Sequence, residues 1–385
     1  MTLKLLISGW LLLLSVIKIT AQNDISENKS PVTFEAAYIG DLVRNFSGGI
    51  KKGTSYLGLA NFKLIFDTKA AHLWKGGQLF INAANAHGGD PTANLVGDFH
   101  TVSNIEADEI TYIHELWYKQ TIKQFEIVAG LQDLNTEFVS SEYGGIFINS
   151  TFGTPSTIAD NVPSPIFPLT SVGLSLKWKI SEKGKWKIAV FDGLPTELSQ
   201  NQHNINWNFN KDEGVFAVSE YQFTPTFKTG LKGSYRAGIY YHSQLIVTDE
   251  ENNKTKLYNY NTGLYVIADQ MIYQKPGSNG GLGIFAQLAI SPKAINTHNL
   301  YYGLGLSYQG LFKNREEDKL GIALTYAGFS EKDKKNETVL EICYKAQLTG
   351  NLYIQPDLQY VIHPEGTDQT LPNATVGFIR FGINF

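Results

Sequence analysis

ATVGFIRFGINF, residues Ala374–Phe385, closes the chain with strictly alternating side chains and a terminal aromatic residue. Successive side chains of a β-strand point to opposite faces, so Ile379 and Phe381 share one face while Arg380 lies on the other. A soluble sheet would cover this apolar face with a second layer. The same alternation recurs along the chain, and no helix-period segment is available to supply such a layer. The pattern therefore predicts a closed barrel whose outer face is solvated by lipid.

The N-terminus has the organisation of a secretory signal peptide. Lys4 supplies the positive start, Leu5–Ile17 the apolar stretch, and Ala21 a small residue at the expected cleavage point. The alternative is a transmembrane helix anchor, but the apolar run is shorter than the roughly 20 residues that a span needs. We therefore predict a signal peptide over residues 1–21 and one outer-membrane β-barrel domain over residues 22–385.

Composition and motifs argue against several classes of protein. The formal net charge of −4 gives no basic footprint for nucleic acid, and Cys343 is the single cysteine, so intramolecular disulfides are excluded. The eight histidines include no pair spaced as in zinc hydrolases, and no Gly-x-Ser-x-Gly stretch is present. We predict no catalytic residue and no metal site, and thus a protein that is not an enzyme. The 12% aromatic content supplies material for interfacial girdles.

Candidate strands recur at short intervals, and each carries its charge on one face only, which is the period-2 signature. The sequence predicts sixteen antiparallel strands, at 33–44, 54–67, 77–86, 106–122, 124–132, 170–180, 185–192, 214–223, 231–246, 257–272, 282–291, 299–311, 318–329, 338–348, 350–362 and 374–385. The inward and outward faces of 106–122 and 257–272 are ambiguous. Pro356 cannot donate to a sheet ladder, so we expect a bulge there.

The longest connection, residues 133–169, joins the fifth and sixth predicted strands. A structureless stretch of this length is unusual in a compact domain unless it is functional. In a wide barrel it predicts an infolded constriction loop that narrows the lumen; the alternative is a surface loop or lid. Connections after odd-numbered strands are mostly the longer ones, as expected for the outward-facing side of such a barrel.

The inward faces and the constriction loop together define a candidate solute pathway. Opposite charges facing each other across water filter ions and orient dipolar solutes, and sugars also need ring faces and polar groups to bind. For any one residue, the alternative is a solvated lumen charge without a further role. The predicted lumen and constriction residues are Glu115, Trp117, Lys119, Asp133, Asn135, Glu137, Tyr143, Phe147, Glu220, Arg236, Asp269, Glu341, Lys345 and Arg380, with Gln287 and Tyr353 beside them.

The chain resembles the carbohydrate-selective porin (OprB-like) family. The resemblance rests on an ordered set of stretches rather than on one motif, and it spans nearly all of the predicted mature chain. These stretches are ELWYKQ at 115–120, GLQDLNTEF at 130–138, GIFIN at 145–149, FPL at 167–169 with Gly173, FDG at 191–193, SEY at 219–221, ADQ at 268–270, EICY at 341–344 and IQPDLQ at 354–359.

The resemblance implies a sixteen-stranded barrel in the outer membrane of a Gram-negative bacterium that passes sugars by facilitated diffusion without a cofactor. It also implies that the barrel-assembly machinery reads Phe385. We therefore expect a porin for small hydrophilic solutes, with outer-membrane lipid and small sugars as partners and a homo-oligomer as one possible assembly. Two alternatives stay open: a plugged barrel serving adhesion or membrane integrity, and an outer-membrane hydrolase such as a lipase.

Overall fold

The computed structural model describes residues 30–195, 198–207, 213–228, 230–243, 245–249, 254–278, 280–331, 334–367 and 369–385. The predicted signal peptide over residues 1–21 lies outside the described residues. In the described ranges, no helix is long and apolar enough to cross a membrane.

The period-2 segments form β-strands, eighteen of them in the described part of the chain. They are β1 (Val32–Ser47), β2 (Gly53–Asp67), β3 (Gly77–Gly88), β4 (Ile110–Ile122), β5 (Phe125–Gln132), β6 (Ser171–Lys179), β7 (Gly184–Asp192), β8 (Val215–Phe223), β9 (Gly233–His242), β10 (Leu245–Asp249), β11 (Lys254–Tyr258), β12 (Asn261–Gln274), β13 (Gly281–Ile290), β14 (His298–Gln309), β15 (Lys319–Phe329), β16 (Glu337–Gln347), β17 (Leu352–Ile362) and β18 (Ala374–Asn384).

Sixteen of these strands close into one antiparallel barrel, as the sequence predicts. Each barrel strand pairs with the next one along the chain, β9 pairs with β12, and β1 pairs with β18. The hairpin of β10 and β11 forms a separate two-stranded sheet in the connection between β9 and β12. The last residue joins the closure, since the Phe385 N–H donates to the Ala36 carbonyl at 2.8 Å.

The two faces of the wall differ as the alternation predicts. Leu174, Leu264 and Ile379 point outward and stay exposed, while the inward-facing Asp269 and Glu341 are buried. An exposed apolar band around a closed sheet is stable only when hydrocarbon replaces water outside it. The outer wall therefore has the surface of a membrane-spanning barrel.

The ambiguity of the predicted strand 106–122 has a structural cause. The register passes from Asn82 opposite Glu115 to Ala83 opposite Ile113, which leaves His114 as an extra residue in a β-bulge. Both His114 and Glu115 are therefore buried on the inner side, and the alternation changes phase between them. The strand also begins at Ile110, so residues 106–109 belong to the preceding connection rather than to the wall.

Two further strand predictions need correction. The predicted strand 257–272 includes the end of the separate hairpin, because β11 ends at Tyr258 and the wall strand β12 begins at Asn261. The bulge expected at Pro356 is wrong, since β16 and β17 keep one register on both sides of it, with Cys343 opposite Asp357 and Ala346 opposite Ile354. The β16–β17 pairing is interrupted next to Pro356, so the proline does not need to donate a backbone hydrogen bond there and no register shift is required.

Loop length separates the two ends of the barrel. The end that carries both termini has short turns, among them 123–124, 180–183 and 348–351. The opposite end carries the long connections 89–109, 133–170, 193–214 and 243–260. This division agrees with the predicted placement of long connections after odd-numbered strands, although the β1–β2 turn at 48–52 is short.

Candidate solute pathway

The connection between β5 and β6, residues 133–170, lies inside the barrel; we call it the inner segment. Three wall carboxylates accept hydrogen bonds from its backbone. Glu220 accepts the Val139 N–H at 2.9 Å, and Asp269 accepts the Tyr143 N–H at 3.0 Å. Glu341 accepts two more, from Ile148 at 2.6 Å and Asn149 at 3.1 Å. Charge-assisted bonds of this kind are stronger than neutral ones, so these carboxylates anchor the inner segment.

Neutral wall side chains complete the anchoring by bonding to backbone carbonyls of the inner segment. Gln287 donates to the Phe152 carbonyl at 3.0 Å, and Tyr301 donates to the Thr151 carbonyl at 2.9 Å. Gln355 on β17 reaches the Ile146 carbonyl at 2.8 Å. Since the partners extend from β8 to β17, the inner segment crosses the lumen, and the inward prediction is confirmed over the surface-loop alternative.

Apolar packing fixes the middle of the inner segment against the wall. The Phe147 ring packs on Phe152 and Phe285, with ring centroids 4.9 and 5.8 Å away. Gly321 makes room for it, because a Cβ there would lie 2.9 Å from the ring. Phe147 is only 2% exposed. It thus holds the segment in place and offers no ring face to a solute.

The other predicted residues of the inner segment divide into structural and open positions. Asp133 accepts the Asn135 N–H at 2.7 Å, and its second oxygen lies 3.2 Å from His114 on β4. Asn135 in turn donates to the Gly153 carbonyl at 3.0 Å, so both residues shape the segment itself. Tyr143 is half-buried, and burial raises the pKa of its hydroxyl to about 12, which keeps the ring neutral.

A second connection, residues 89–109, also enters the barrel, and the sequence did not predict this. Glu337 on β16 accepts the N–H groups of Phe99 at 2.7 Å and His100 at 3.0 Å. On the adjoining wall, Asp41 accepts the Ser103 hydroxyl at 2.7 Å. Two infolded segments therefore narrow the lumen at the end opposite the termini.

Acidic groups of the second segment lie close to one another, with Asp98 buried and Glu106 half-buried. Burial, followed by repulsion from Glu337, raises the pKa of Asp98 well above its usual range. Burial, then contact with Asp90, raises the pKa of Glu106 to about 10, although Glu106 accepts the Thr92 N–H at 2.9 Å. Glu106 is thus neutral in the folded protein at pH 7.

A Glu106→Gln variant tests this neutral carboxyl. Because the folded-state pKa is raised, the protonated group favours folding below the ordinary glutamate pKa, and this contribution is lost as pH rises toward about 10. We expect the variant to melt at the same temperature as the parent at pH 4 but about 2–4 °C higher at pH 8. Melting curves followed by circular dichroism in detergent, at pH 4 and at pH 8, measure the difference in melting temperature. Equal melting of the two proteins at pH 8 would contradict the assignment.

A charge network lies where strands β7, β8, β9 and β12 meet the inner segment. Lys187 is 2.6 Å from Glu220, and Arg236 lies 4.0 Å from Glu220 and 3.9 Å from Asp269. All four side chains are largely buried. The structure therefore brings Glu220, Arg236 and Asp269 together under the inner segment, whereas the sequence predicts charges that face each other across water.

Predicted residues on β4 form a more open patch. Trp117 stacks on Phe80 with ring centroids 4.6 Å apart, and its indole N–H donates to Glu115 at 3.1 Å. The Lys119 ammonium lies 5.8 Å from the Trp117 ring centroid. Trp117, Phe80 and Lys119 are only half-buried. The combination of ring faces with adjacent charged groups suits a solute that is both hydroxylated and partly apolar.

The patch continues onto β5 and β6. Lys177 lies 3.3 Å from both Glu126 and Glu137, and the Glu137 side chain is about half exposed. Glu137 also receives the Lys187 ammonium on its backbone carbonyl. Lumen-facing aromatic and charged groups thus extend from β3 to β6.

The facing wall carries the remaining predicted residues. β16 and β6 are eight strands apart around the sixteen-strand ring, so they lie opposite each other. On β16 the Lys345 ammonium lies 3.8 Å from the Tyr353 ring centroid, and Lys345 is directly opposite Lys319 on β15. Arg380 is separate from this group, because its guanidinium donates to both oxygens of the buried Asp41 at 2.7 Å.

Several functional contacts were missed by reasoning from the sequence. The alternation correctly predicts which face of each strand points inward, and that face carries Phe80, Lys177, Lys187 and Asp41. Their partners come from strand pairing and from infolded segments, and no local pattern reports either of those. The one available signal was a charged or aromatic residue on the inward face of each strand.

Comparison with known proteins agrees with this architecture. Residues 51–385 match the family model described as "Carbohydrate-selective porin, OprB family". Porin B of Pseudomonas aeruginosa is 22% identical, covering 91% of this chain and 87% of that protein. A high-pH structure of OprB from Pseudomonas putida has a TM-score of 0.83 at 21% identity, covering 92% of this chain and 94% of that one.

A more distant likeness is to the trimer form of OmpT from Vibrio cholerae, with a TM-score of 0.53 at 10% identity, covering 92% of this chain and 99% of that one. At this identity the likeness shows the barrel fold alone. The family model, by contrast, matches most of the sequence, and the barrel with its apolar outer face fits the bacterial outer membrane. The chain therefore belongs to the carbohydrate-selective porin family, OprB, which indicates a channel, and is an outer-membrane porin for carbohydrates.

Proposed function

We propose that sugars pass along the lumen between two patches of the wall on the side of the inner segment that is nearer the termini. One patch, on β3 to β6, contains Phe80, Trp117 and Lys119. The other, on β15 to β17, contains Lys345 and Tyr353. The stacked, half-buried pair of Phe80 and Trp117 carries the proposal, because a ring face beside charged groups is the surface that a sugar needs.

Charge around this route is unevenly distributed. On the β3–β6 patch the acidic Glu115 and Glu126 lie beside Lys119 and Lys177, and Glu137 of the inner segment adds a further acidic group. Strands β15 and β16 present Lys319 opposite Lys345. A field across the lumen follows from this arrangement, and it orients a dipolar solute while passing it. The inner segment supplies the narrowing, and no bond is made or broken during passage.

A Trp117→Ala variant is expected to weaken sugar binding in the lumen without closing the channel. The lost ring-face contact is worth about 1 kcal/mol, equivalent to roughly fivefold in affinity. Planar-bilayer recordings of ion current with increasing sugar measure this directly, because a bound sugar obstructs ions.

The matched control is Trp186→Ala, since Trp186 is an exposed tryptophan on the outer face. We expect this control to keep the parent's sugar concentration for half-maximal block. Equal block in the parent and in Trp117→Ala would contradict the proposed contact. A plugged adhesion or structural barrel, one of the two alternatives, would show no steady ion current in any variant.

We also propose how the porin reaches and inserts into the outer membrane. Residues 1–21 act as a signal peptide, and the barrel-assembly machinery reads Phe385, whose side chain is exposed at the end of the closing strand. Outer-membrane lipid contacts the apolar band. A homo-oligomer is compatible with a fold that also occurs in the trimer form of OmpT.

A further inference from the structure

Three side chains on the inward face of β16 and β17 converge beneath the inner segment. One ligand atom each from Glu341, Cys343 and Asp357 lies within 4.8 Å of the other two, and all three residues are buried. Cys343 and Asp357 are directly opposite each other in the strand register. Among the described residues, this is the one group of three potential metal ligands (His, Cys, Asp or Glu) that lie close enough together to hold a metal ion.

The Asp357 carboxylate is the unexplained member of this group. Only 7% of the surface of Asp357 is exposed. Neither of its carboxylate oxygens has a hydrogen-bond partner among the described residues. The nearby Arg380 directs its donors elsewhere, to Asp41 and Asn104. A buried carboxylate without a donor is unfavourable unless it is protonated or coordinates a cation.

The neighbouring Glu341 carboxyl group, unlike that of Asp357, has donors of its own. Glu341 accepts the backbone N–H groups of Ile148 and Asn149, one on each oxygen, and each oxygen retains a further lone pair. Two carboxyl groups and a thiol whose ligand atoms lie within 4.8 Å of one another form a set of donors that favours binding of a cation. Oxygen donors with one thiolate suit a thiophilic divalent ion of the zinc class better than calcium or magnesium.

We propose that Glu341, Cys343 and Asp357 bind a divalent cation of the zinc class. Tetrahedral zinc places its ligand atoms about 3.5 Å apart, so small side-chain adjustments bring these three to coordination distance. Binding releases the Cys343 thiol proton to solvent, and the sulfur then donates as thiolate. Because Glu341 also accepts hydrogen bonds from the backbone of the inner segment, cation binding stabilises the attachment of that segment to the wall. This inference does not depend on the proposed sugar path.

The single cysteine makes the test direct. Metal-free purified porin in detergent is titrated with Cd²⁺, and the thiolate-to-metal charge-transfer absorption reports coordination by Cys343 alone. We expect a saturable band at one Cd²⁺ per chain, no band in Cys343→Ser, and binding weakened at least about tenfold in Asp357→Asn. Zn²⁺ should displace the Cd²⁺ and abolish the band.

A second measurement keeps the proposal testable if one variant folds poorly. Zn²⁺ at saturating concentration should raise the unfolding midpoint of the parent porin and leave that of Cys343→Ser unchanged. The proposal is overturned if no band forms, or if Cd²⁺ binds Asp357→Asn as tightly as the parent. It is also overturned if Asp357→Asn stabilises the barrel while the parent binds no Cd²⁺, since the two carboxyl groups would then share a proton instead.

Discussion

Replacing residues 140–159 with a short glycine-serine linker is expected to raise single-channel conductance about twofold or more, because the inner segment then no longer crosses the lumen. The replaced stretch includes the groups that bond to Asp269, Gln287 and Glu341 on the wall. Sugar discrimination should fall at the same time, since the narrowing forces solutes against the lining. Planar-bilayer recordings of conductance and of sugar block measure both effects.

The control shortens another connection that is not part of the wall. Residues 245–258 contain the β10–β11 hairpin, which pairs only with itself in the sheet topology. Shortening this hairpin should leave conductance close to that of the parent porin. Unchanged conductance after replacement of 140–159 would remove the constriction role from the inner segment.

Arg380→Ala is expected to destabilise the barrel by about 3–5 kcal/mol, because it leaves the buried Asp41 carboxylate without its bidentate partner. Both residues lie where β1 meets β18, and they are directly opposite in register. Arg380 also donates to Asn104 at 2.8 Å, so its loss frees part of the second infolded segment. Urea unfolding in detergent, followed by tryptophan fluorescence, measures the loss.

The double variant Arg380→Ala with Asp41→Ala provides the control for that effect. Removing both charges takes away the unpaired buried carboxylate, so we expect it to recover a large part of the lost stability. A double variant as unstable as the sum of the two single variants would show that packing, rather than charge pairing, dominates at the closing seam.

Local alternation was sufficient to predict the wall. The terminal strand shows why: Ile379 and Phe381 lie outward and Arg380 inward, and each orientation follows from the spacing of side chains along one strand. The bulge at His114 shows the limit of this reasoning. An extra residue reverses the alternation, and its position depends on the partner strand β3, so the sequence of β4 alone leaves the inward face ambiguous.

The candidate site was predicted less completely than the wall, for a related reason. Inward positions such as Glu220 and Glu341 follow from alternation, but what they bind comes from distant parts of the chain. Glu337 bonds to Phe99 across a separation of 238 residues, and no local pattern encodes such a contact. The long connection 133–169 was recognisable by its length, whereas 89–109 lacked a signal strong enough to separate an infolded segment from a surface loop.

Swelling of liposomes containing the purified porin, measured with sugars of graded size, tests the central claim most directly. The claim is that apolar side chains contact lipid while the inward charged and aromatic residues line a water-filled route for sugars. The account predicts rapid swelling with monosaccharides and progressively slower swelling with di- and trisaccharides. Absence of swelling with every sugar, from liposomes that contain the folded barrel, would contradict it.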